Sequence, residues 1–141
     1  MRSQWFWGQY SRVVDVAADD AGHAYVSDLD YGVTILDFSD IRDGGEIANV
    51  GQIETPGSAS GLSLCTDSGT LLVADQNEGM LAADVSDPEI AKDSDPPTFP
   101  EDRIKQGTYP ATGSYAAFSK DQGESAFLAS GQEGLTRLEK T

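Results

Sequence analysis

Short apolar runs separated by polar, glycine-bearing turns recur along the whole chain. Val13–Ala18 (VVDVAA) leads through Asp20-Ala21-Gly22 into Ala24–Asp40 (AYVSDLDYGVTILDFSD). The same order returns in Gly61–Thr66, Asp67-Ser68-Gly69 and Leu71–Asp87 (LLVADQNEGMLAADVSD). It returns again in Ser114–Ser119, Asp121-Gln122-Gly123 and Ala126–Thr141 (AFLASGQEGLTRLEKT). Asp-x-Gly between apolar runs predicts hairpins, because Asp accepts from nearby amides and Gly takes a positive φ. Inside each long stretch a polar connection ends in glycine, at Gly32, Gly79 and Gly134, which stand 47 and 55 residues apart. No apolar spacing of 3.6 residues persists over a helix length, and Gly or Pro interrupts every candidate. The pattern predicts an all-β chain.

A weaker fourth strand follows each of the first two units, at Asn49–Glu54 and Arg103–Tyr109. Four short strands in units of this length predict β-propeller blades: three four-stranded antiparallel blades, over about 12–54, 57–108 and 111–141. The third unit lacks its outer strand within its own span. Trp5, Phe6 and Trp7, in an expected outer strand over about 4–9, occupy the place that Val50-Gly51-Gln52 and Ile104-Lys105-Gln106 hold before the other units. Three blades leave two open edges. The expectation is a homodimer in which each N-terminal strand completes the partner's last blade, giving a six-bladed ring with twofold symmetry. The alternative is a piece of a larger propeller. The proline- and acid-rich stretch Asp87–Asp102 (DPEIAKDSDPPTFPED) reads as a solvated loop, or as a protruding binding loop.

The repeated units resemble the LVIVD repeat, a β-propeller repeat whose pattern is a strand like YVAD, a polar turn to Gly, and then L-x-I-x-D-V-S-D-P. Leu72-Val73-Ala74-Asp75, Gly79-Met80-Leu81 and Asp84-Val85-Ser86-Asp87-Pro88 follow it almost fully. Tyr25-Val26-Ser27-Asp28, Gly32-Val33-Thr34-Ile35 and Leu36-Asp37-Phe38-Ser39-Asp40 follow it without the proline. The third copy departs, with Ser130 in place of the first Asp. The resemblance implies a propeller and an extracellular or cell-surface setting, and it implies no particular reaction.

Charge narrows the partners. The chain has 141 residues, with 24 Asp and Glu against 9 Lys and Arg, for a formal charge of −15. Such a surface disfavours a phosphate backbone or an anionic membrane, so neither nucleic acid nor membrane insertion is expected. The start, MRSQWFWGQY, lacks the apolar stretch of a secretory signal.

Candidate chemistry is sparse. Cys65 is the single cysteine and reads as a small buried strand residue. His23, the single histidine, reads as a surface turn residue. No P-loop, Gly-x-Ser-x-Gly or His-Glu-x-x-His motif occurs. Carboxylates remain. Asp28, Asp30, Asp75 and Asn77 stand in polar turns as oxygen donors of the type calcium takes, although as a calcium loop the pattern is incomplete. In a propeller these turns and the inter-blade links surround the channel mouth. The expected rim is Asp28, Asp30, Tyr31, Asp75, Asn77, Glu78, Gln132 and Glu133, joined by Ser58 and Tyr109. Asp37 and Asp84 read as structural, serving backbone donors between blades. The reading is a non-catalytic scaffold presenting an acidic rim to a protein, glycan or cation. Its rivals are a carboxylate- or divalent-metal-dependent hydrolase or lyase, and an inactive portion of a larger cell-surface propeller protein.

Overall fold

The computed structural model describes residues 12–41, 44–66, 68–75, 79–106, 114–120, 125–130 and 134–139; from residue 105 onward it describes the backbone alone. Among the described residues the chain is all-β, with eleven strands in three antiparallel sheets and a short 3-10 turn at Glu101–Arg103. The first sheet holds β1 (Val13–Ala18), β2 (His23–Asp28), β3 (Gly32–Asp37) and β4 (Ala48–Ile53), paired in chain order. The second holds β5 (Ala59–Cys65), β6 (Thr70–Asp75), β7 (Met80–Asp84) and β8 (Ile104–Gln106), again in chain order. The third is β9 (Ser114–Lys120), β10 (Ser125–Ser130) and β11 (Gly134–Glu139). The segment 4–9 lies outside the described residues, with Trp5, Phe6 and Trp7.

Each sheet is a meander because every connection between its first three strands is short. The turn into β2 places Gly22 at φ +92°, and the turn into β6 places Gly69 at φ +65°. The carbonyls of these two glycines accept the amides of Phe38 and Val85, at 2.9 and 2.7 Å, so the ends of β3 and β7 are hooked in the same way. Asp37 and Asp84 complete the hook. Each Oδ1 accepts both the amide and the hydroxyl of the serine two residues on, Ser39 at 2.9 and 2.7 Å and Ser86 at 3.0 and 2.7 Å. These carboxylates bond first to the serines of their own turns, and Asp84 Oδ2 also lies 3.5 Å from the Arg103 guanidinium. The cause is local: a short acidic side chain followed by Ser closes an Asx turn more readily than it reaches another layer.

Sheets stack through their first strands. β5 lies against β1 and β2, and β9 lies against β5 and β6. Tyr25, Ile35 and Ile53 of the first sheet meet Leu71, Val73 and Leu81 of the second in one buried cluster. Polar atoms cross this interface in pairs. The β5–β6 ladder is irregular between Ala59 and Leu62. There the Ser60 carbonyl accepts the Ser27 hydroxyl at 2.6 Å, and the Leu62 amide donates to Asp15 Oδ2 at 2.9 Å. Satisfying these groups matters because an unpaired buried polar group costs about 1–3 kcal/mol.

The stretch after β7 keeps most of its residues exposed, as a solvated loop does, but it is also tied to the first sheet. It turns repeatedly over Asp87–Ser94, then runs beside β4. The Gln52 amide donates to the Pro97 carbonyl at 2.7 Å, and the Phe99 amide donates to the Gln52 carbonyl at 2.8 Å. Phe99 is 2% exposed and belongs to the core cluster. The segment thus covers part of the edge of the first sheet, which would otherwise present open N–H and C=O groups. Its prolines do not forbid this, because the pairing uses the Pro97 carbonyl and no proline amide.

Candidate functional site

The β2–β3 turn carries most of the described rim residues, and its geometry follows from Gly32. With φ at +83°, Gly32 lets the turn lie on the end of β4, where a Cβ would collide with the Ile53 carbonyl oxygen. Asp28, 1% exposed, is fully engaged inside the turn. Its Oδ1 accepts the amides of Asp30 at 2.8 Å and Tyr31 at 3.3 Å, and its Oδ2 accepts the Arg12 amide at 2.9 Å. It latches the chain entering β1 to the chain leaving β2. Asp30 turns outward and pairs with the Arg12 side chain through two bonds, Nε at 2.7 Å and NH2 at 2.6 Å. Donation from Arg12 holds the Asp30 carboxyl below the usual carboxylate value, and the same bond raises Arg12. Tyr31 is 40% exposed. Its carbonyl accepts the Gln52 side-chain amide, whose oxygen accepts the Thr34 hydroxyl at 2.7 Å.

Asp75, fully buried, holds the corresponding place at the end of β6, where its Oδ2 accepts the Gly57 amide at 3.1 Å. Ser58 follows in the same link and is half-buried. Asn77, Glu78, Tyr109, Gln132 and Glu133 lie outside the described residues. Among the described residues no three His, Cys, Asp or Glu side chains gather as a metal site. Asp28 and Asp75 spend oxygens on backbone amides, and Asp30 spends both of its own on Arg12.

Beside this turn lies a cleft of about 510 Å³. Asp30, Tyr31 and Gly32 form one side and Gln52, Glu54 and Thr55 the floor, while Pro96, Pro97 and Thr98 close it from the docked segment. Sequence reasoning placed Asp30 and Tyr31 on a rim but did not find Glu54 or the proline wall. Gln52 was the available signal, a polar residue inside an apolar strand.

Compared with known proteins, the sequence matches no family model and no curated protein. Function must therefore be argued from geometry.

A second cavity, of about 390 Å³, opens between the first two sheets near the β1–β2 turn. His23 lines it and is 7% exposed, which corrects the expectation of a surface histidine. Its Nδ1 lies 2.9 Å from Asp19 Oδ2, and its Nε2 lies 3.7 Å from Glu89 Oε2. Asp19, not Asp20, organises the turn: its Oδ1 accepts the amides of Ala21 and His23, both at 2.9 Å. Partial burial opposes charge on Asp19, but those amides and the His23 ring outweigh it and hold the carboxyl below its usual value. Burial pushes the neighbouring Tyr25 hydroxyl far above the usual tyrosine value. Cys65, expected to be buried, is only half-buried because it ends β5 opposite Thr70.

Asp37 and Asp84 are also held low, first by the hydroxyls of Ser39 and Ser86 and then by their amides. A carboxylate whose folded pKa lies below its unfolded value stabilises above the unfolded value and loses that contribution as pH falls through the folded one. Stability at these sites is therefore complete above about pH 4 and declines below it. Thermal melts from pH 7 to pH 3 check this. Asp37→Ala with Asp84→Ala should start lower at neutral pH and lose less on acidification than wild type. Equal acid losses in both proteins would remove these carboxylates from the account.

Proposed function

We propose that the chain is a non-catalytic interaction module of β-propeller type, similar to LVIVD-repeat proteins, that recognises a basic partner through its acidic face. What carries the reading is the cleft beside Tyr31, where Glu54 presents an exposed carboxylate next to Asp30, itself already paired with Arg12. A net charge of −15 extends the same field over the molecule and would steer a cationic surface toward it. The propeller reading draws on the stacking of the sheets through their first strands. It draws too on the matching hooks at Asp37–Ser39 and Asp84–Ser86.

Completion of the ring by a second copy fits the exposed side of β1. Val13, Val14 and Val16 are 47%, 50% and 61% exposed on a strand that ends its sheet. Apolar surface of this kind on a sheet edge commonly marks an association site.

Two measurements test the proposal. Light scattering should give a mass near twice 15.0 kDa for the wild type, and Val14→Lys with Val16→Lys should halve it; a folded wild-type monomer would end the closure model. Titration calorimetry with an arginine- and lysine-rich peptide should show saturable binding that weakens steeply with salt. A neutral oligosaccharide should give no heat. Binding of the oligosaccharide in preference to the peptide would overturn the basic-partner reading.

A further inference from the structure

We propose that His23 is a proton-operated clasp: on taking up a proton it draws Glu89, and with it the turns of Asp87–Ser94, onto the first sheet. The inference goes beyond the interaction-module reading and needs no partner.

His23 heads β2, is 7% exposed, and lines the cavity between the first two sheets. Carboxylates face it from three separate segments. Asp19, in the β1–β2 turn, places Oδ2 2.9 Å from Nδ1. Glu89, in the segment after β7, places Oε2 3.7 Å from Nε2. Asp37, the cross-strand partner of His23 at the end of β3, meets the Glu89 side chain and feels the His23 ring. Asp20 lines the same cavity from the turn and is exposed. The Tyr25 hydroxyl adds no charge, because burial pushes it far above the usual tyrosine value. The second sheet contributes no charged group to this cavity. Among the described residues that line it, His23 is therefore the one group that can become a cation.

The two protonation states treat Glu89 differently. Asp19 stays anionic: partial burial opposes this, but the His23 and Ala21 amides outweigh it. A neutral imidazole must then carry its one N–H on Nδ1, because a lone pair 2.9 Å from that carboxylate would repel it. Nε2 is left as an acceptor, so Glu89 meets a lone pair and the negative charge of Asp19 and Asp37. Protonation puts a second N–H on Nε2 together with a positive charge, and Glu89 gains a charge-assisted partner. Histidine changes its charge between about pH 5 and pH 8, so the clasp closes as pH falls through that range.

Glu89 passes this pull on because its segment is a chain of turns. The Lys92 amide donates to the Glu89 carbonyl and the Ser94 amide to the Ala91 carbonyl, both at 3.0 Å. Ala91 is the one buried side chain of Asp87–Ser94. With so little apolar anchorage, a single ionic contact weighs heavily in how firmly these turns sit.

The single histidine makes the test direct. Proton NMR of the full chain from about pH 5 to pH 8 follows the His23 ring. Fast hydrogen exchange, corrected for the intrinsic rate at each pH, follows the Lys92 and Ser94 amides. Their protection should fall about three- to fivefold as the ring loses its proton, the size that a partly exposed ion pair supplies. Glu89→Gln should abolish this response while the ring still titrates, and His23→Gln should hold both amides at their high-pH level. Asp37→Asn should keep the response. Unchanged wild-type protection across the titration, or an equal fall in Glu89→Gln, would overturn the clasp. So would loss of the response in Asp37→Asn, which would assign it to the Asp37–Glu89 carboxyl pair. A ring that keeps one protonation state throughout would overturn it as well. No basic probe enters these measurements, so their failure leaves the interaction-module reading standing.

Discussion

Phe99→Ala should lower stability by about 3–5 kcal/mol, the usual loss for an aromatic removed from a core. For a chain of this size that is on the order of 10 °C in melting temperature. Phe99 is 2% exposed and packs into the cluster shared by the first two sheets, although its own segment belongs to neither. Its loss does more than open a void. The backbone bonds from Gln52 to Pro97 and Phe99 depend on the ring to hold the segment in place. Without it the edge of β4 is uncovered and the proline wall of the cleft is lost. Hydrogen exchange checks this directly: the Gln52 and Phe99 amides should lose protection in the variant by more than amides in β2 and β3. A variant that melts like wild type with both amides protected would show that the segment is held by something other than Phe99.

Asp28→Ala should cost about 2–4 kcal/mol, because it strips the acceptor from three amides, those of Arg12, Asp30 and Tyr31. Asp28→Asn keeps one oxygen and turns the other position into a donor facing an amide, so its loss should be intermediate. The same experiment separates a latch from a calcium ligand. A latch loses its stability equally in calcium and in a chelator. A ligand shows its effect only when calcium is present, through the stabilisation that binding confers on the folded state. Thermal melts under both conditions decide the matter. Asp28→Ala melting like wild type in the chelator would rule out the latch.

These two residues illustrate how unevenly the molecule could be read in advance. Strand positions were legible. The sequence pattern predicted Val13–Ala18 as a strand, and β1 has those bounds. The predicted runs Asn49–Glu54 and Gly61–Thr66 lie within one or two residues of β4 and β5. Alternation and turn chemistry are local properties, so a short window of sequence contains them. The structural character of Asp37 and Asp84 was legible for the same reason, but not their partners. The fourth strand of the second sheet was found as well: β8, Ile104–Gln106, falls within the predicted Arg103–Tyr109, whose residues 107–109 lie outside the described residues.

The candidate site was legible only where it coincides with a turn. Asp30 and Tyr31 stand in the β2–β3 connection and were found there. Glu54, Pro96 and Pro97 come from two other segments, and nothing in their own neighbourhoods marks them as lining one cleft. His23 shows the same gap: its turn position suggested exposure, yet it is buried, with the half-buried carboxylates of Asp19 and Glu89 beside it.

The sequence by itself determined the all-β character, the positions of most strands and the glycine turns, because each depends on side-chain alternation or backbone freedom within a few residues. It also determined the strongly acidic balance, which needs no fold to be counted. Only the tertiary structure decided what the Asp87–Asp102 stretch does. Its prolines and charges resemble those of a solvated loop, and Phe99 is the one large apolar side chain of the stretch that ends buried. Whether that one ring finds a core depends on β4 offering an open edge at Gln52, far away along the chain. The cleft exists because those two distant segments pair, and pairing at that range is settled by packing rather than by local pattern.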